Sequence, residues 1–291
     1  MALQLHLAEE AMIPVNKLGS GLLGVTSDLA YMRASIVNVI FFGDPQSSKD
    51  WVLIDTGLST SVKDIIDAAA DRFGEQSKPC AIILTHGHFD HTGAVEALVE
   101  YWDVPVYAHP LEFPYLTGEA TYPPADPWAG GGAMSLLSPL FPRAPVMIRP
   151  SLRMLPDDRT LPGMPGWKWL HTPGHTPGHV SLWREHDRML LAGDAVITTG
   201  QESVYEVVVQ EPEMHGPPRY FTPNWVDAER SVKLLSALSP ETIIAGHGRP
   251  AEGELMRARL SELARNFKSI AIPEGRRPDH NRGGRGGHDQ G

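Results

Sequence analysis

One pattern restricts this 291-residue chain more than any other: four times, a short apolar run ends in histidine or aspartate. "AIILTHGHFDHTG" (81–93) sets His86, His88, Asp90 and His91 within six positions, and "WKWLHTPGHTPGH" carries His171, His175 and His179. "RMLLAGD" stops at Asp194, and "TIIAGHG" holds His247. Apolar runs of this length bounded by Gly, Pro or Asp read as β-strands. In open α/β sheets ligands bind beyond the carboxyl ends of the strands, so four such ends are expected to meet at one edge. The segment 86–90 is expected to be extended, because alternate residues of an extended chain share a side; His86, His88 and Asp90 would then converge while His91 turns differently.

Elsewhere the chain alternates strand and helix. "ASIVNVIFF" from Ala34 and "WVLIDTG" (51–57), separated by the turn-rich "GDPQSSKD", read as a hairpin. Apolar residues at Val62, Ile65, Ile66, Ala69 and Phe73 make a helical stripe that Gly74 ends. A helix over about 93–101, a strand at "VPVYAH", a helix in "NWVDAERSVKLLSAL" capped by Asn224 and a last helix in "EGELMRARLSELARNF" complete an α/β rhythm. We expect one domain over 1–275 with a proline-rich insertion at about 110–165, and a disordered tail over 276–291, which is nearly free of apolar residues. The insertion has little periodicity yet carries Phe113, Tyr115, Tyr122, Trp128, Leu136, Leu137 and Phe141; lid, substrate wall and subunit contact all stay open for it, and so does a homo-oligomer.

Bulk numbers remove several classes of function. A hydrophobic fraction of 42% excludes disorder throughout, and a net charge of −10 argues against nucleic acid as a partner. Glu9 and Glu10 interrupt the stretch where a secretion signal needs its apolar core, and no run of 18 apolar residues exists, so we expect no membrane association and a cytoplasmic location. Cys80, the only cysteine, rules out an internal disulfide and a thiolate-rich zinc site. A metal would be held by His and carboxylate, a set that zinc accepts.

The blocks "THGHFDHTG", "HTPGHTPGH", "AGDA" and "AGHG", in this order, resemble the metallo-β-lactamase superfamily of metallohydrolases over roughly 34–267. The resemblance implies a four-layer αββα sandwich with two divalent metal ions, foremost Zn2+, at one edge of its two sheets. It implies that His86, His88 and His175 hold the first ion, that Asp90, His91 and His247 hold the second, and that Asp194 bridges them. Asp55 in "DTG" would support the site without touching metal, His171 and His179 would be structural, and His109 and His215 match no ligand position. His215 in "EMHGPPRYFTPNW" stays a candidate for substrate contact, with an ordinary loop histidine the simpler reading.

A hydroxide shared by two such ions would attack a carbonyl carbon while one ion polarises its oxygen, with Asp90 serving proton transfer to the leaving group. Tyr205 and Tyr220 are candidates for assisting that group. Asp194 departs from the pattern of typical β-lactamases in the family, and His88 departs from that of its redox diiron branch. The acidic balance speaks against RNA phosphodiesters, and the last helix lacks the cationic segment of hydroxyacylglutathione hydrolases. A small-molecule carboxylic ester or lactone is the expected substrate. Thioesterase, β-lactamase or phosphodiesterase activity, and a non-catalytic metal-stabilised binding module, stay as alternatives.

Overall fold

The computed structural model describes residues 5–14, 16–45, 50–125, 146–200, 211–273 and 276. Its larger sheet runs Asn16–Lys17, Leu22–Gly24, Leu29–Ala34, Val37–Phe42, Val52–Ile54, Ala81–Ile83, Val106–Ala108 and Leu152–Met154 in spatial order. Neighbours are antiparallel up to Val52–Ile54 and parallel beyond it. The smaller sheet runs Trp167–His171, Val180–Arg184, Met189–Gly193, Thr242–Ala245 and Ala251–Glu252, with one parallel pair at its third and fourth strands.

Period-two alternation assigns each strand's residues to two layers. Val52, Ile54 and Ile83 face inward, where they pack on Leu182, Leu191 and Ile244 of the other sheet. Leu53 and Ile82 face outward onto the helices Val62–Phe73 and Val95–Trp102. On the other side Leu190 and Ile243 pack on the helices Trp225–Ala237 and Gly253–Arg265. Both faces of both sheets are thus apolar, which forces a helix, sheet, sheet, helix sandwich; each such side chain fully buried is worth about 1.5–3 kcal/mol. The four-layer αββα class read from the sequence is the one observed.

The expected hairpin is present, with Ile40 opposite Ile54 and Phe42 opposite Val52. The helix stripe ends at Gly74 as its φ of 100° requires, and the Asn224 side chain accepts from the Asp227 N–H to cap its helix. Three points differ from the sequence reading. Leu29–Ala34 is a further strand, turned into Val37–Phe42 at Ser35 with a φ of 65°. Within the stretch read as an insertion, Leu152–Met154 adds an edge strand to the larger sheet, beside Val106–Ala108. The third concerns Asp90 and His91: they lie on a single helical turn, Phe89–Thr92, closed by amide bonds from His91 and Thr92 to the His88 carbonyl (both 3.0 Å). His88 is still extended, and the chain turns after it; the Thr92 hydroxyl also bonds the His88 carbonyl at 3.0 Å. Trp128, Leu136, Leu137, Phe141, Tyr205 and all of the tail but Arg276 lie outside the described residues. Among the described residues no helix is long and apolar enough to cross a membrane.

Candidate metal centre

The parallel strands bring the polar loops together. Val52–Ile54 and Ala81–Ile83 send Asp55 and His86 out at one edge, and Met189–Gly193 and Thr242–Ala245 send out Asp194 and His247. The sheets are stitched there: the Val180 N–H donates to the Thr85 carbonyl (2.9 Å), and the Asn38 side chain donates to the carbonyls of Ala245 (2.9 Å) and Gly248 (2.7 Å). The seven residues that the resemblance assigns to metal, His86, His88, Asp90, His91, His175, Asp194 and His247, meet at this edge, each at most 7% exposed.

Proton accounting fixes which ring nitrogen four of the histidines offer. Thr85 has one hydroxyl proton and gives it to Asp55 Oδ2 (2.8 Å), so its oxygen accepts from His86 Nδ1 (3.0 Å). Thr222 gives its proton to the Pro218 carbonyl (2.7 Å) and accepts from His175 Nδ1 (3.3 Å). His91 Nδ1 donates to Asp55 Oδ2 (2.8 Å), and His247 Nδ1 to the Ile36 carbonyl (2.8 Å). Four imidazoles therefore present Nε2 to one space, each held by a partner on its other nitrogen, as metal-binding histidines are.

Into that space point two groups of ligand atoms, His86, His88 and His175 on one side and Asp90, His91 and His247 on the other, each within 4.8 Å of one another. His88 Nδ1 lies 3.1 Å from His86 Nε2 and 2.9 Å from His175 Nε2. Asp194 sits between the groups: Oδ1 is 3.4 Å from His91 Nε2, and Oδ2 is 3.3 Å from His175 Nε2 and 3.2 Å from His247 Nε2. Asp90 Oδ2 is 3.5 Å from His247 Nε2. His91 Nε2 and Asp194 Oδ1 are buried without a hydrogen-bond partner. Converging lone pairs and two orphaned buried atoms of one polar set fit a divalent cation.

The two groups differ in charge. Burial pushes the His88 imidazole down to about 3, and burial with neighbouring imidazoles holds His86 and His175 well below the ordinary histidine value. These rings are neutral at pH 7, their lone pairs available. Burial opposes charge on His91 and His247 too, but Asp194 outweighs it, with Asp55 and Asp90 beside His91 and Asp90 beside His247, so both are raised. Burial would raise Asp194 as well, yet His247 and His91 hold it well below the usual carboxylate range. Asp194 and its neighbouring carboxylates favour a proton on His91 and on His247, so protons and a cation compete for these two nitrogens. Affinity for an ion at Asp90, His91 and His247 should therefore keep rising as pH increases above 6.5, the ordinary histidine value. Metal titrations at several pH values with proton-release calorimetry check this; an affinity flat above pH 6.5 would contradict it.

His179 holds the backbone of Asp194 in place. Ser181 donates to the Ala192 carbonyl (2.9 Å), so the Thr172 hydroxyl donates to Ser181 (3.0 Å) and accepts from His179 Nδ1 (2.9 Å). That leaves His179 Nε2 to accept the Asp194 N–H at 2.9 Å. His171 lies apart, stacked on His109 at 4.2 Å. His215 ends the strand Pro212–His215 instead of lying in a loop; it pairs with Ile197 and does not line the cavity beside the site.

That cavity, about 280 Å³, has His88 and His175 in its wall. Tyr115, Tyr122, Tyr220, Phe221, Trp225 and four prolines make the rest of it largely apolar. Arg219 also lines it, with its guanidinium donating to the carbonyls of Ile270 (2.7 Å) and Ala271 (3.0 Å). Sequence reading missed Glu112, buried between the His88 and His175 loops. Nothing marks a lone glutamate after a strand as other than a solvated one.

The site is thus a buried His/Asp cluster of metal-ligand type at the shared edge of the two sheets of an α/β sandwich. A family model described as "Metallo-beta-lactamase superfamily" matches residues 32–247, and the chain belongs to that superfamily. It is 48% identical over 239 residues to a Bacillus subtilis protein described as "Probable metallo-hydrolase YflN", covering 82% of this chain and 90% of that one. It is 27% identical to the hydroxyacylglutathione hydrolase of Bdellovibrio bacteriovorus over 71% of this chain and 61% of that one. The solved structure of a beta-lactamase domain protein from Burkholderia ambifaria superposes with a TM-score of 0.60 at 20% identity, covering 89% of this chain and 81% of that one, a likeness of fold.

Proposed function

We propose that this protein is a dinuclear metal-dependent hydrolase, with Zn2+ the foremost ion, that opens a small carboxylic ester or lactone with an apolar acyl portion. The observation that carries this reading is the convergence of four Nε2 atoms and Asp194 on one buried space beside an apolar cavity. His86, His88 and His175 would hold one ion, Asp90, His91 and His247 the other, and Asp194 would lie between. Two divalent ions so held supply an activated water at neutral pH and polarisation of a carbonyl. The chain's own residues do the rest: Thr85, Thr222, Asp55 and Ile36 fix the imidazole tautomers, and the tyrosines and prolines of the cavity seat the acyl group and exclude water. To Asp90 we assign proton transfer to the leaving group, for which its place beside His247 suits it.

Thioester hydrolysis is the second reading, favoured by the similarity to the hydroxyacylglutathione hydrolase. A panel of an acylated homoserine lactone, an aryl ester, a glutathione thioester, a cephalosporin and a bis-aryl phosphodiester, each with and without chelator, separates the two. Chelator-sensitive turnover of lactone or ester, highest for longer acyl chains, is expected. Turnover of the glutathione thioester alone would replace the ester reading, phosphodiester turnover alone would sink both, and no turnover of any member would favour a metal-stabilised binding module.

A further inference from the structure

We propose that Glu112 is a positioning residue: its carboxylate locks the loop of His86 and His88 to the loop of His175, so that the three imidazoles of the first group are set before an ion arrives. The proposal rests on the metal-site reading above.

Glu112 closes the turn Pro110–Glu112 after the strand Val106–Ala108 and has no exposed surface. A carboxylate at such a place is costly unless its lone pairs are matched. Here four donors match them, divided by loop. Oε1 accepts from the Gly178 N–H (2.6 Å) and the Thr176 hydroxyl (2.9 Å), both on the loop of His175. Oε2 accepts from the Gly87 N–H (2.9 Å), which lies between His86 and His88, and from the Tyr122 hydroxyl. One planar, rigid group thus sets the spacing of two loops that are 87 residues apart at His88 and His175.

Both loops are shaped to admit it. A Cβ at position 178 would stand 2.8 Å from Glu112 Cγ and 3.0 Å from its backbone nitrogen, so glycine is needed there, and one at 87 would stand 2.6 Å from the Tyr122 oxygen and displace that hydroxyl. The Tyr122 ring then lies 4.5 Å from that of His88 and closes the same corner. Each carboxylate oxygen faces a backbone N–H, that of Gly178 or that of Gly87, so an amide in its place would point N–H at N–H on one side. Charge and shape together specify glutamate.

The test uses the full chain and three variants: Glu112→Gln, Thr176→Val, which loses one donor at nearly constant volume, and Tyr122→Phe, which loses the other hydroxyl. Zinc affinity is measured by competition with a chromogenic chelator, and amide exchange at Gly87 and Gly178 is measured on metal-free protein. Glu112→Gln is expected to weaken zinc binding by roughly 10–100-fold, as loss of an outer partner of a ligand does, and each hydroxyl deletion to weaken it less. Exchange at both glycine amides should quicken about tenfold or more as the loops open locally. Wild-type affinity and exchange in Glu112→Gln would overturn the proposal; should that variant fail to fold, wild-type values in both Thr176→Val and Tyr122→Phe would overturn it. A wild-type chain that binds no zinc would sink the metal reading instead, and the exchange rates alone would then decide whether Glu112 joins the loops. A brace serving only the fold would lower the melting temperature and leave the zinc affinity of the folded protein unchanged.

Discussion

Asp194→Asn should remove metal-dependent turnover and cut the bound metal from two ions per chain to one or none. Among the described residues, Asp194 alone has oxygens within 3.4 Å of His91, His175 and His247, residues of both ligand groups. It is also the anion that balances the cluster at which protons and ions compete. An amide of the same shape keeps the packing but offers one acceptor, no charge, and N–H groups toward imidazoles whose Nδ1 protons are already committed. The loss in kcat/KM should exceed the roughly 10–100-fold cost of losing an outer partner of a ligand. Metal analysis and steady-state rates on the folded variant check this; a variant that keeps two ions and wild-type rates would remove Asp194 from the site.

The second large effect is on stability. Trp51 has no exposed surface and stands at the centre of an aromatic cluster, stacked on Phe73 with centroids 4.5 Å apart and on Phe41 at 6.1 Å, with the Trp102 ring edge-on at 5.6 Å. Its indole N–H donates to Ser77 (2.8 Å). These contacts tie the helices Val62–Phe73 and Val95–Trp102 to the larger sheet. Trp51→Ala leaves a cavity among rigid rings that cannot close in, so a cost of about 3–5 kcal/mol is expected. Urea unfolding of the metal-free protein should show a lower midpoint at an unchanged slope; a midpoint within error of wild type would mean that the cluster is not a unit of stability.

Much of the site was legible because its chemistry is written in consecutive letters. His86, His88, Asp90 and His91 stand within six residues, and His175, Asp194 and His247 each end a recognisable apolar run. The strands that place them were legible for the same reason, since their residues are apolar on both faces. Glu112 and Tyr122 were not legible as a pair, because their meaning lies in a contact with Gly87 and Gly178 that no spacing announces. The helical turn at Phe89–Thr92 escaped because four residues carry no helical period. Leu5–His6, which pairs with Pro212–His215 across more than two hundred residues, is too short to show alternation. The role of His179 emerged only once Thr172, Ser181 and Ala192 fixed where its proton goes.

The central claim is that the buried space between His86, His91 and Asp194 is built for two ions. The most direct test is metal content per chain by elemental analysis, on protein purified without added metal and again after zinc reconstitution. Two equivalents lost to chelator and restored with zinc are predicted, together with turnover of a lactone or ester. No bound metal after reconstitution of folded protein would contradict the claim.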